Sequence, residues 1–145
     1  MDKENKLVPG LPSGFEDRWD KKLLLKKKLL KAIENNFIKF GAEALETPSF
    51  EISENIGSFL AEDEANPMSD VFSFQDGEKN ITLRYDLSSP LARFVAQNNQ
   101  ELPSIFKRYQ IQNVFRNEKA GNGRYREFMQ ADFDIVGNVN PPQAN

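Results

Sequence analysis

The sequence predicts an α+β domain: an antiparallel sheet carrying its helices on one side. Three observations predict it. Apolar residues recur at three- and four-residue steps over residues 19–40, which marks one long helix. Two strand pairs, residues 71–74 with 81–85 and residues 108–116 with 128–136, read as hairpins. Regular strand–helix–strand alternation, the pattern of a parallel sheet, is missing.

Residues 1–18 are rich in Pro and Gly and form an extended lead-in. In the helix that follows, Leu25, Leu29, Ala32, Ile33, Phe37 and Phe40 make the apolar stripe. Six lysines between Lys21 and Lys31 lie mostly on other faces and read as a solvated surface rather than a nucleic-acid grip. Gly41 falls just past the last periodic residue, where a helix ends. Ala42, Ala44 and the residues around Leu45 suggest a short strand, stopped at Pro48, which has no ladder N–H to donate. The acidic stretch AEDEANPMSD, residues 61–70, is a loop, and QDGEKN turns the first hairpin. Ser88 or Ser89 caps a helix starting at Pro90 and running through Leu91, Phe94 and Val95. Tyr109, Ile111, Val114 and Phe115 mark the next strand, residues 118–124 a Gly-containing loop, and the last strand folds back on it. No internal repeat or domain boundary interrupts this order.

Composition narrows the chemistry. A chain of 145 residues with 39% hydrophobic and 28% charged residues suits one globular domain. No apolar run approaches the ~18 residues of a membrane span. MDKENKLVPG lacks the apolar core of a secretory signal, and with no cysteine the expected location is the cytoplasm. With neither Cys nor His, thiol nucleophiles, Ser-His-Asp relays and ordinary zinc sites are unavailable. What remains is Arg, Lys, Asp, Glu, hydroxyls and backbone, a set suited to binding charged substrates, with magnesium as a helper.

The stretch VFRNEKAGNGRYREFMQADFDIVG is the most informative. On a strand alternate residues share a face, so Phe128, Gln130, Asp132 and Asp134 point one way, with Arg116 at the end of the preceding strand beside them. Three polar residues on one face of a central strand meet a ligand, each other, or solvent. A pocket with arginines at one end and carboxylates at the other suits a ligand bearing both phosphate and ammonium. Alternation alone leaves the solvated reading open. In TLRYDLSSPLAR, Arg84, Asp86 and Ser88 alternate at a strand end before a helix, where they can hold a ligand or simply cap the helix.

Four blocks in order, LPSGFEDRW, FGAEALETPSFE, TLRYDLSSPLAR and FRNEKAGNGRYREFMQADFDIVG, together closely resemble the N-terminal part of histidyl-tRNA synthetases, a class II family. The resemblance runs from about Leu11 to the C-terminus. It implies a class II catalytic sheet flanked by helices, with motif 1 over about residues 19–51 and motif 2 over about residues 108–137. The family activates L-histidine with ATP, with Mg2+ as helper, and transfers it to tRNA-His. Carried over by residue, Arg116 would be the catalytic cation, touching the ATP α-phosphate and the substrate carboxylate. Glu118 would lie near adenine, Arg124 would reach the γ-phosphate, and Phe128 would stack on adenine. Asp86, Leu87 and Ser88 match the segment around the substrate α-amino group. Gln130 and Asp134 match the residues completing the histidine pocket, with Asp134 on the imidazole side. Many bacterial relatives carry Glu at the Asp86 and Asp134 positions and Thr at Ser88; the acceptor and hydroxyl chemistry is kept.

Adenylate formation needs no nucleophilic side chain, only in-line positioning and cations, so the missing His and Cys are no obstacle. The resemblance also implies a homodimer built on motif 1. It places motif 3, the histidine-specific motif and the anticodon-binding domain beyond Asn145, so that this chain alone would be inactive and would expose unpaired strand edges. Two related scaffolds are the alternatives: a synthetase-like regulatory subunit of ATP phosphoribosyltransferase, and a synthetase-like sensor module.

Overall fold

A computed structural model describes residues 8–56 and 71–138. The loop expected at residues 61–70 lies outside these. The elements run α1 (Asp20–Lys39), β1 (Glu43–Ala44), β2 (Phe50–Ile52), α2 (Ser53–Ile56), β3 (Ser73–Asp76), β4 (Lys79–Leu83), α3 (Ser88–Asn98), β5 (Ile105–Phe115) and β6 (Glu127–Gly137). They make an α+β fold with two three-stranded sheets, ordered β1-β5-β6 and β2-β4-β3.

The long hairpin is the larger expected feature. β5 and β6 pair antiparallel in one unbroken register, from Ile105 opposite Gly137 to Phe115 opposite Glu127. Gly137 is glycine for a steric reason: its φ is 129°, and a Cβ there would lie 2.1 Å from the Ser104 carbonyl oxygen. β1 adds to the other edge of β5 in parallel, with Glu43 opposite Arg108. The sheet is therefore mixed, and β5 is its central strand. β6, expected to be central, is an edge among the described residues.

The smaller sheet contains the expected short hairpin, with β3 and β4 joined through Gly77 and Glu78. Its third strand, β2, pairs antiparallel with β4. β2 was not foreseen, because three residues carry no period.

The helices lie on both faces of β5, not on one side. Phe37 of α1 packs against Tyr109 and Phe133, with ring centroids 5.8 and 5.6 Å apart. Phe94 of α3 packs at 6.1 Å against Phe106. Positions 106 and 109 have opposite parity on a pleated strand, so the two helices cover opposite faces. The consecutive buried run Arg108, Tyr109 and Gln110 records the same double cover.

Two local readings are also corrected. The half-buried face of α1 is Leu23, Lys26, Leu30, Ile33 and Phe37, whereas Leu25 and Leu29 of the expected stripe are 70% and 60% exposed. The helix carries apolar residues on two faces, and only the sheet selects the inner one. Gly41 does close the helix at a φ of 75°, its N–H donating to the Ile38 carbonyl. α3 begins at Ser88 rather than Pro90, and neither serine hydroxyl caps it. Asp86 Oδ1 instead accepts the Ser89 backbone N–H at 3.1 Å.

Candidate active site

One face of the β5–β6 hairpin is polar along most of its length. Phe128, Gln130, Asp132 and Asp134 do share that face, as alternation demands. Opposite them in register stand Val114, Gln112, Gln110 and Arg108. This second polar row was missed by the sequence reading, although the same period of two runs through RYQIQNVFR.

Most of the β5 row and Asp134 join in one largely buried network. Arg108, with no exposed surface, holds Asp134 through Nη2 to Oδ2 at 2.7 Å. Its Nη1 donates to Gln110 Oε1 at 3.2 Å. Gln110 Nε2 donates in turn to Thr47 Oγ1 and Gln112 Oε1, at 2.7 and 2.6 Å. Arg84 closes the network at the far end, its Nη1 donating to Gln112 Oε1 at 3.1 Å. Its Nη1 and Nε also reach the Thr47 and Asn113 carbonyls at 2.7 and 2.6 Å. Arg84 was expected to share a strand face with Asp86 and Ser88. It lies past the end of β4, is 3% exposed, and ties the two sheets together instead.

Asp86 is half-buried. It lines a cavity of about 230 Å³ with Glu51, Ile56, Arg84, Tyr85, Ser89 and Pro90. It also borders a wider groove along α3 that Ser88 lines as well. Leu87 between them is fully buried, and its carbonyl accepts Arg108 Nη2 at 3.2 Å.

A second cavity, of about 350 Å³, brings together Arg116, Glu118, Arg124 and Phe128 with Gly123 and Tyr125. Arg124 sits 3.6 Å from Glu118 and is largely exposed. The Tyr85 hydroxyl donates to Glu118 Oε1 at 3.4 Å. Arg116 lines this second cavity and touches the wall of the first through Tyr85. Its guanidinium lies 4.3 Å from the Tyr85 ring centroid and 5.1 Å from that of Phe128, and Nε donates to the Tyr85 carbonyl at 3.4 Å. Such stacking orients the planar fork while leaving donors on its edge for anions. Arg126, two residues past Arg124, does another job. It stacks on Phe72 and bonds Asn117 and the Ser13 carbonyl, while its N–H donates to the Gly14 carbonyl. It thereby pins the lead-in to the hairpin.

Electrostatics follow burial. Burial pulls the Arg108 guanidinium below its ordinary value, opposed by Asp134, Asp132 and Asp86. Burial pushes the Asp132 carboxyl up, against the Gln130 hydrogen bond and Arg108, and Asp134 and Asp86 add to the rise. The folded protein therefore binds this proton more tightly than the unfolded chain, and stability falls as pH rises through the raised value. Asp132→Asn is expected to stabilise the protein at pH 7, with the gain shrinking as pH falls through the ordinary Asp range near about 3.9. Urea unfolding at pH 7 and pH 4 reads this; a gain independent of pH would sink the burial argument.

Tyr85, which lines the first cavity, and Phe128, which lines the second, hold the Arg116 guanidinium between their rings on a mixed sheet. The chain belongs to the class II tRNA synthetase core domain family, whose model matches residues 16–140. Within that family it is similar to histidine–tRNA ligases. It is 81% identical to that of Pelagibacter ubique over 145 residues, covering 100% of this chain and 31% of the relative. Against the ligase of Rhodopseudomonas palustris it is 44% identical over 140 residues, covering 96% and 27%. A crystal structure of histidyl-tRNA synthetase from a Nostoc species matches with a TM-score of 0.75 at 28% identity, over 90% of this chain and 29% of that one. An ATP phosphoribosyltransferase regulatory subunit/histidyl-tRNA synthetase from Bacillus halodurans matches in fold, with a TM-score of 0.76 at 22% identity, over 97% and 35%. The chain thus spans about a third of the length of the relatives it matches.

Among the described residues no helix is long and apolar enough to cross a membrane.

Proposed function

We propose that this segment forms one wall of the site in which a histidine–tRNA ligase joins L-histidine to ATP as histidyl-adenylate, before transfer to tRNA-His. The observation that carries the reading is Arg116, which lines the cationic cavity and stacks on Tyr85, a lining residue of the cavity that holds Asp86. A carboxylate attacking an α-phosphate accumulates negative charge at one point between two anionic groups, and a planar fork there can meet both.

In this reading ATP enters the Arg116 cavity, with adenine on Phe128 near Glu118 and the γ-phosphate toward Arg124. Histidine takes the acidic side, its ammonium by Asp86 and Ser88 with Leu87 as their buried anchor, and its ring by Gln130 and Asp134. Magnesium travels with the triphosphate through phosphate oxygens and water. The described residues bring no group of three or more His, Cys, Asp or Glu together as a metal site, so no protein-held position is assigned to it.

Motif 1 spans about residues 19–51 and motif 2 about residues 108–137. A homodimer fits the uncovered side of α1, where Leu25 and Leu29 are 70% and 60% exposed. A role in tRNA charging puts the protein in the cytoplasm. The regulatory-subunit alternative has a likeness of fold alone. Gathering of Arg116, Glu118, Arg124 and Phe128 in one cavity favours nucleotide handling.

The test is histidine-dependent pyrophosphate–ATP exchange by the Pelagibacter ubique ligase carrying this segment in place of its own. Exchange supports the reading. A folded, soluble chimera without exchange overturns it.

A further inference from the structure

We infer that Arg108 is a positioning residue that makes Asp134 a fixed acceptor for a ring N–H of the substrate and sets its spacing from the ammonium site; the inference rests on the histidine-activating reading above. Arg108 is fully buried and touches three parts of the site at once. It pairs with Asp134 Oδ2 on β6 at 2.7 Å, donates to Gln110 Oε1 on β5, and donates to the Leu87 carbonyl at the start of α3. Leu87 lies between Asp86 and Ser88, so one rigid guanidinium spans the ammonium side and the ring side of the pocket.

Stability is a poor explanation for this arrangement. Burying a guanidinium is costly, and an apolar replacement of the whole cluster is commonly as stable. Arg108 is not even fully satisfied, since Nε is buried without a hydrogen-bond partner. What the pair supplies is geometry. The guanidinium charge at 2.7 Å draws Oδ2 inward, where it is buried and takes no hydrogen bond, while 37% of the Asp134 side chain stays exposed. Four residues back along the polar face, Gln130 Nε2 donates to Asp132 Oδ2, while Gln130 Oε1 is buried with no partner. A carboxylate oriented in this way selects a ligand ring that donates N–H and rejects rings that cannot.

The test uses the active chimera and measures KM for histidine and for ATP separately. Arg108→Gln is expected to raise the histidine KM at least about tenfold, with the ATP KM within about twofold. Arg108→Lys keeps the charge without the fork and is expected to fall between Arg108→Gln and the parent. Arg108→Gln combined with Asp134→Asn is expected to be no worse than Asp134→Asn alone, because the arginine acts through the carboxylate. A merely structural role predicts otherwise: lower melting temperature, both KM values shifted together, and additive effects. That pattern overturns the inference. If Arg108→Gln does not fold, Arg108→Lys decides, and an unchanged histidine KM in a folded Lys variant overturns it. Failure of the parent reading looks different. Asp134→Asn would then leave the histidine KM unchanged, which removes both. If Asp134→Asn raises it and Arg108→Gln does not, only the role of Arg108 falls.

Discussion

Arg116→Ala is expected to lower histidine-dependent pyrophosphate exchange by about 10²–10³-fold, the scale of removing one oxyanion donor, about 3–4 kcal/mol. The fall should appear in kcat as well as in KM. An arginine that meets both the carboxylate and the α-phosphate strengthens its bonds most as the two anions merge. The Tyr85 ring, the Phe128 ring and the Tyr85 carbonyl already hold Arg116, so in the proposed reaction little reorganisation would remain. Arg116→Lys is expected to recover only part of the rate, since a point charge can neither stack nor bridge. A loss below about tenfold for Arg116→Ala would remove it from the centre of the mechanism.

Arg84→Ala should be the most damaging change to the fold, at about 3–5 kcal/mol in urea unfolding. Its guanidinium serves the Thr47 and Asn113 carbonyls and Gln112 Oε1. Its backbone joins the sheets as well: Arg84 N–H donates to the Ser49 carbonyl, and Phe115 N–H donates to the Arg84 carbonyl. Burial lowers the guanidinium's affinity for its proton, opposed by Glu51 and Glu46, yet an arginine stays charged. Truncation would strand the Asn113 carbonyl of β5 and the Thr47 carbonyl of the β1–β2 connection at once. Arg84→Lys is expected to lose more than half as much, because one ammonium cannot reach acceptors lying in two directions. A loss under about 1 kcal/mol for the alanine variant would mean that water replaces the side chain freely.

The contrast between these arginines marks how far the sequence could be read. Local patterns were legible: the helix closed by Gly41, both hairpins, and the shared face of Phe128, Gln130, Asp132 and Asp134. Each rests on a period or a turn residue within a short window. The role of Arg84 was not legible, because its partners at Thr47 and Asn113 are distant in the chain. The inner face of α1 was misread for a related reason. Leucines stand on two faces of that helix, and only Tyr109 and Phe133, far along the sequence, decide which is covered. Arg108, Gln110 and Gln112 had a usable signal in their alternation, but Tyr109 and Ile111 on the other face drew the reading to apolar marks. For the site, the four motif blocks carried the family, while the arrangement of two cavities about Arg116 needed coordinates.

The long hairpin also bears on the order in which the chain assembles. β5 and β6 close across residues 116–126, whereas Thr47 must find Gln112 across 65 residues. Loop-closure entropy favours the nearer pairing first. A hairpin formed early presents a row of unmet amides and charges on one side and the rings of Tyr109 and Phe133 on the other. It is then a two-sided template: the aromatic side recruits α1, and the polar side waits for the turn around Leu87. Synthesis from the N-terminus delivers both visitors before the template exists, so α1 emerges with its leucines uncovered and must be kept from other partners until β6 arrives.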